Sequence, residues 1–160
     1  MNLQVDITSA SSEPAPDEDD IRSWIAAALE ADGRSADCEV SLRLVDQDEM
    51  AQLNRDYRGR QGPTNVLSFP SDLPGSLPLN LLGDIAICAP LVRREAAEQG
   101  KSPTAHWAHL TIHGTLHLLG YDHVDDAEAE AMEYLESRVM QALGFNCPYQ
   151  TDLPMEQQGA

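Results

Sequence analysis

Apolar and polar residues alternate at the start of the chain, with Leu3, Val5 and Ile7 separated by Gln4, Asp6 and Thr8. A period of two predicts a strand with one buried face. After a loop over Ser11 to Pro16 the period lengthens. Ile21, Trp24, Ile25, Ala28 and Leu29 fall on one helical face within Asp17 to Ala31, with acids at the N-terminal end and Gly33 beyond the last turn. Val40, Leu42 and Leu44 return to strand alternation. Asp46 with Glu49 has the spacing of a capping box, opening a helix whose apolar positions are Met50, Leu53 and Tyr57. Gly59 to Pro63 then reads as a loop, and Val66 to Phe69 as a short strand.

Two prolines and a glycine make Ser71 to Pro78 a turn or loop. Leu79 to Cys88 is the best candidate for a buried strand, and Pro90 opens the helix that follows at its first turn. Gly100 ends that helix, and Ser102-Pro103 starts another that runs to Leu119. Asp125, with Glu128 three residues on, starts a last helix with Met132, Leu135, Val139 and Leu143 as its buried stripe. Short interleaved strands and helices predict an α+β layer, helices packed on a small mixed sheet. We expect one domain over residues 1–147 and a polar, frayed tail over 148–160.

Composition narrows the class. A chain of 160 residues with 42% apolar content suits one ordinary globular core. The sequence carries no apolar run long enough to cross a bilayer and no secretory signal pattern, and its cysteines, Cys38, Cys88 and Cys147, are few and widely spaced. These features predict a cytoplasmic protein with reduced thiols. The net charge of −17 opposes binding to a polyanion. Two basic clusters, Arg55-Arg58-Arg60 and Arg93-Arg94-Lys101, partly offset it.

The chemistry concentrates in His113-Gly-Thr-Leu-His117-Leu-Leu-Gly-Tyr-Asp-His123. His113 and His117 lie one helical turn apart, so they share a face at roughly 6 Å along the axis. Gly120 stops the helix, and the reversal through Tyr121 and Asp122 brings His123 back. Three imidazoles on one ion leave an open position, the mark of a catalytic metal. Zinc is the default for such a set, with nickel, copper or iron as alternatives. The spacing is that of the metzincin peptidases, H-E-x-x-H-x-x-G-x-x-H, but Gly114 stands where their general base would be.

The motif H-G-x-L-H-L-x-G-Y-D-H resembles the signature of the YbeY family of bacterial metal-dependent endoribonucleases. Asn54-Arg55-Asp56-Tyr57-Arg58, Pro63-Thr64-Asn65-Val66-Leu67-Ser68-Phe69-Pro70 and Leu82-Gly83-Asp84-Ile85 are similar to further blocks of that family, with Asn65 where Asp is common. The resemblance implies a four-stranded sheet with a metal at a cleft beside it. It implies cleavage of single-stranded RNA in ribosomal RNA maturation, at the 3′ end of 16S rRNA, and in ribosome quality control. It also implies a small-subunit ribosomal protein and a ribosome-associated GTPase as partners, and it makes Arg58 the required arginine.

Each site residue has a second reading. Arg58 is otherwise a solvated helix-end cation; as a guanidinium it can hold two phosphate oxygens. Arg55 and Arg60 are weaker candidates for the RNA backbone, and Ser68 and Asn65 are cleft or strand-end residues. His109, one turn before His113, is assigned to the cleft and His106 to the helix body. Asp122 either orients a ligand imidazole or serves the turn. Trp24 and Trp107 are core or rim aromatics, and an exposed Trp107 would be able to stack a base. Besides the nuclease, two readings remain at this level: a metallopeptidase, disfavoured by Gly114, and a non-catalytic ribosome assembly factor with a structural metal.

Overall fold

The computed structural model describes residues 3–33, 37–71, 81–122, 125–145 and 148. The elements in chain order are β1 (Leu3–Ser9), α1 (Glu18–Ala31), β2 (Cys38–Val45), α2 (Gln47–Arg58), β3 (Val66–Pro70), β4 (Leu81–Cys88), α3 (Ala89–Gln99), α4 (Pro103–Leu118) and α5 (Asp126–Ala142). This is the α+β layer that the periodicities predict. The loop expected over Ser71 to Pro78 lies outside the described residues after Ser71, as does the tail after Pro148.

The four strands run in the order β1-β2-β4-β3. β1, β2 and β4 are mutually parallel, and β3 pairs antiparallel with β4 at the edge. Pro70 closes β3, and an edge strand tolerates the missing N–H. Along β4 the side chains separate by parity. Ile85 and Ile87 join the main core with Leu42, Leu44 and the helices α1, α4 and α5, whereas Ala86 and Cys88 join Val45, Met50, Leu67 and Leu91 on the opposite face under α2. The register shift beside Val40 brings Gly83 opposite it at a φ of 146°. A Cβ there would collide with the Phe69 carbonyl oxygen, so only glycine lets β3 and β4 approach at this point.

α4 is buried on nearly all sides. Ser102 caps it by accepting from the Ala105 N–H at 3.3 Å, and Thr111 and Thr115 satisfy their hydroxyls on the carbonyls of Trp107 and Thr111. Residues from α1, β4 and α5 pack around it. A polar side chain on such a helix must find a partner or reach a cleft.

Two expectations are corrected here, and one open alternative is closed. The Asp46–Glu49 capping box does not form: Asp46 Oδ1 accepts from the Ser11 hydroxyl and Glu49 pairs with Arg43 at 2.7 Å. Partners outside α2 compete successfully for both carboxylates. Tyr57 is not on the buried face of α2; it is 68% exposed. Trp107 is 4% exposed, which removes it as a base-stacking residue. The Asp125 cap does form, on the Glu128 N–H at 2.8 Å.

Candidate metal centre and cleft

His109, His113 and His117 follow one another at intervals of four along α4, and α5 packs beside them. That packing delivers Glu136, which is fully buried. Its Oε1 lies 2.6 Å from His109 Nε2 and its Oε2 lies 2.7 Å from His113 Nδ1. Burial alone would push this carboxyl up, but the hydrogen bonds and charge of the two histidines hold it down, at about 2. The ionised carboxylate accepts only, so both ring nitrogens facing it donate. With Nδ1 donating to Glu136, a neutral His113 presents the lone pair of Nε2.

That lone pair faces His117 Nε2 at 3.1 Å. Two imidazole nitrogens on one tetrahedral ion with bonds of about 2.0–2.1 Å stand roughly 3.3 Å apart. The pair accordingly suits a shared transition ion, with Glu136 behind His113 as the orienting carboxylate. A second donor set overlaps it: His109, His113 and Glu136 offer ligand atoms within 4.8 Å of one another. His123 lies outside the described residues.

The open side of His113 and His117 faces a cleft of about 820 Å³. One wall is β3, from Val66 to Pro70; another is the end of α2, with Tyr57 and Arg58; Gly120, Tyr121 and Asp122 close it beyond α4. The Tyr121 hydroxyl donates to Asp32 at 2.7 Å, tying the turn after α4 to the end of α1. Of the residues expected at the site, Arg58, Ser68, His113, His117 and Asp122 all line this cleft. Arg55 and Arg60 do not line it, and Arg55 is paired with Asp56 at 3.7 Å. His109 sits behind the ligand face on Glu136. His106 is buried and donates to Glu95 at 2.9 Å, in keeping with its assignment to the helix body. Burial pushes its imidazole below the usual range, against the opposing pull of Glu95.

Ser68 has a structural task as well. Its hydroxyl donates to the Gly114 carbonyl at 2.8 Å, and a Cβ at position 114 would stand 3.1–3.3 Å from Ile85, Ser68 and Val66. Gly114 thus faces the sheet and lets α4 press against β3. A glutamate there would point into packed side chains, so the peptidase reading fails on direction as well as on residue type.

Glu136 is the site residue that sequence reasoning missed, because it belongs to an acidic run, Asp125 to Glu136, that reads as a solvated face. A signal was present: it lies four residues after Met132 and three before Val139, a carboxylate within the apolar stripe of α5.

Sequence comparison agrees with this geometry. The family described as Endoribonuclease YbeY matches residues 6–144. The chain belongs to the YbeY family. It is 54% identical over 151 residues to Endoribonuclease YbeY of Pseudomonas syringae pv. tomato, covering 94% of this chain and 90% of that one. It is 51% identical to the YbeY of Halorhodospira halophila, covering 92% and 97%, and 51% identical to that of Methylococcus capsulatus, covering 95% and 99%. The solution structure of TM1509 from Thermotoga maritima superposes with a TM-score of 0.56 at 25% identity, covering 88% of this chain and 91% of that one. The fold of that structure and this chain's α+β layer agree. No helix among the described residues is long and apolar enough to cross a membrane.

Proposed function

We propose that this YbeY protein is a cytoplasmic metal-dependent endoribonuclease that cuts single-stranded RNA during maturation of small-subunit ribosomal RNA and in ribosome quality control. The observation that carries the reading is the juxtaposition, on one cleft, of the facing His113 and His117 nitrogens with the Arg58 guanidinium. Membership of a family whose relatives are named endoribonucleases gives the substrate class.

His113 and His117, with His123, would hold one ion, zinc by the chemistry of three imidazoles. The choice against the His109–His113–Glu136 set rests on access: Glu136 is fully buried and already accepts from both histidines, whereas the His113–His117 side opens on the cleft. A bound ion supplies Lewis acidity to the reacting phosphate. Glu136 fixes the tautomer and ring orientation of His113. Arg58, exposed at the end of α2, binds two phosphate oxygens and neutralises the charge that grows on them in the transition state. Asp122 lines the same cleft at the turn after α4. In the cell, a small-subunit ribosomal protein and a ribosome-associated GTPase are the proposed partners.

The test is incubation of metal-loaded protein with unstructured RNA, duplex RNA and casein. Cleavage of the unstructured RNA alone, abolished by chelation, is expected. Cleavage of none of them by metal-replete protein would overturn the assignment.

A further inference from the structure

Tyr57 is an aromatic left 68% exposed on the wall of the cleft. Its ring is held in place. Phe69, from β3, packs against it with centroids 4.7 Å apart and planes tilted by 60°. Phe69 is itself anchored in the apolar cluster under α2. The Tyr57 ring is therefore held against Phe69 while it remains open to solvent. Among the described residues the other exposed large aromatic, Tyr134, differs: it is on α5, where the Arg138 guanidinium donates to its hydroxyl at 2.9 Å and lies 5.6 Å over its ring.

Charge makes an uncharged contact necessary. The chain has 10 Lys and Arg against 27 Asp and Glu. Arg22, Arg43, Arg55 and Arg93 are committed to Asp19, Glu49, Asp56 and Glu13. With so few cations at the cleft, Coulomb attraction cannot supply much affinity for a polyanion. Stacking of a base on an aromatic ring adds affinity without adding charge, by about 1–3 kcal/mol per base.

Resting on the assignment of RNA as substrate, we propose that Tyr57, backed by Phe69, is a stacking subsite for one unpaired nucleobase next to the phosphate held by Arg58. Tyr57 and Arg58 both belong to the last turn of α2 and line the same cleft. A base must leave its pair to lie flat on the ring, so the subsite accepts single strands and rejects duplex. Any base offers a π face, so the subsite does not read sequence.

The experiment uses metal-loaded full-length protein and a short single strand with a cleavage-resistant 2′-O-methyl phosphorothioate backbone carrying one 2-aminopurine. Wild type is expected to quench the 2-aminopurine on binding. Tyr57→Phe keeps the face and should bind within about twofold, whereas Tyr57→Ala and Tyr57→Leu should lose the quenching and weaken binding by about 5–100-fold. The wild-type advantage should persist as salt rises and vanish on duplex RNA. Metal content and melting temperature, read on the same preparations, should match wild type because the ring is mostly exposed. Retained quenching and affinity in Tyr57→Ala and Tyr57→Leu would overturn the subsite, as would a Tyr57→Phe defect as large as that of Tyr57→Ala. Cleavage of unmodified RNA separates the two proposals. RNA cleavage with an unchanged KM in Tyr57→Ala sinks the subsite and leaves the nuclease standing. Tyr57-dependent quenching without RNA cleavage by wild type sinks the nuclease and leaves the subsite.

Discussion

Glu136 determines which nitrogen His113 offers to the cleft, so its replacement tests the centre from behind. Glu136→Gln keeps the shape but loses the charge and one of the two acceptors. In metal-free protein at neutral pH it should unfold more easily, by about 1–3 kcal/mol. The carboxyl is held at about 2 in the folded chain against an ordinary 4.5. A depressed carboxyl stabilises above its ordinary value and loses that contribution as pH falls toward its folded value. The gap between wild type and Glu136→Gln should therefore narrow from pH 4.5 down to pH 2, as read by urea unfolding. A gap independent of pH would show that the buried carboxylate carries no charge. On the cleft side, metal and phosphate contacts separate. His117→Ala should lose metal, cleavage and melting temperature together, because an ion bound to the folded state stabilises it. Arg58→Ala should keep metal and melting temperature and lose cleavage by about 10²–10³-fold, with only partial recovery in Arg58→Lys. Metal loss in Arg58→Ala would move that residue from the phosphate to the architecture of the site.

Elements set how closely these residues meet. The approach of β3 to β4 depends on Gly83, where a Cβ would strike the Phe69 carbonyl and stand 2.8 Å from Leu118 Cδ2. Gly83→Ala should cost about 2–4 kcal/mol in a thermal or chemical melt, since backbone rather than a flexible side chain must yield. An unchanged melt would mean that β3 is free to shift. The elements themselves were legible in the sequence because periodicity and caps are local: the alternation of β1 and β2, the stripe of α1, the Ser102 and Asp125 caps. What was not legible depended on neighbours distant in the chain. Asp46 has the spacing of a cap, yet Ser11, 35 residues earlier, takes its carboxylate. Tyr57 shares the helical period of Met50 and Leu53 but sits in the last turn of α2, packed against Phe69 of β3 and otherwise exposed. The histidine pair could be read from its spacing; the carboxylate that orients it is harder to see, because only its place in the apolar stripe sets it apart from the solvated acids elsewhere on α5.

At the scale of the whole molecule, charge distribution governs how RNA is held. The net charge is −17, and two of the three cations of the second basic cluster are engaged within the protein: Arg93 pairs with Glu13 at 3.1 Å and Lys101 donates to the Pro148 carbonyl at 3.4 Å. Only Arg58, of the cations expected to contact RNA, lines the cleft. Each neutralised phosphate on a single strand contributes a slope of about −0.7 to log K against log salt, so one or two contacts predict a total of about −1 to −2. A titration from low to moderate salt measures it. A steeper slope would require a basic surface that the described residues do not present.

The position of Glu136 in the sequence has a consequence for biosynthesis. Translation delivers the histidines of α4 first, and the carboxylate that sets the tautomer of His113 follows 23 residues later. A nascent chain that has exposed α4 alone carries the imidazoles but not the group that orients them. On the proposed site, ion capture in the working geometry would therefore wait for α5 to dock, and the interval would delay the appearance of an RNA-cutting activity beside the very particle that is making it.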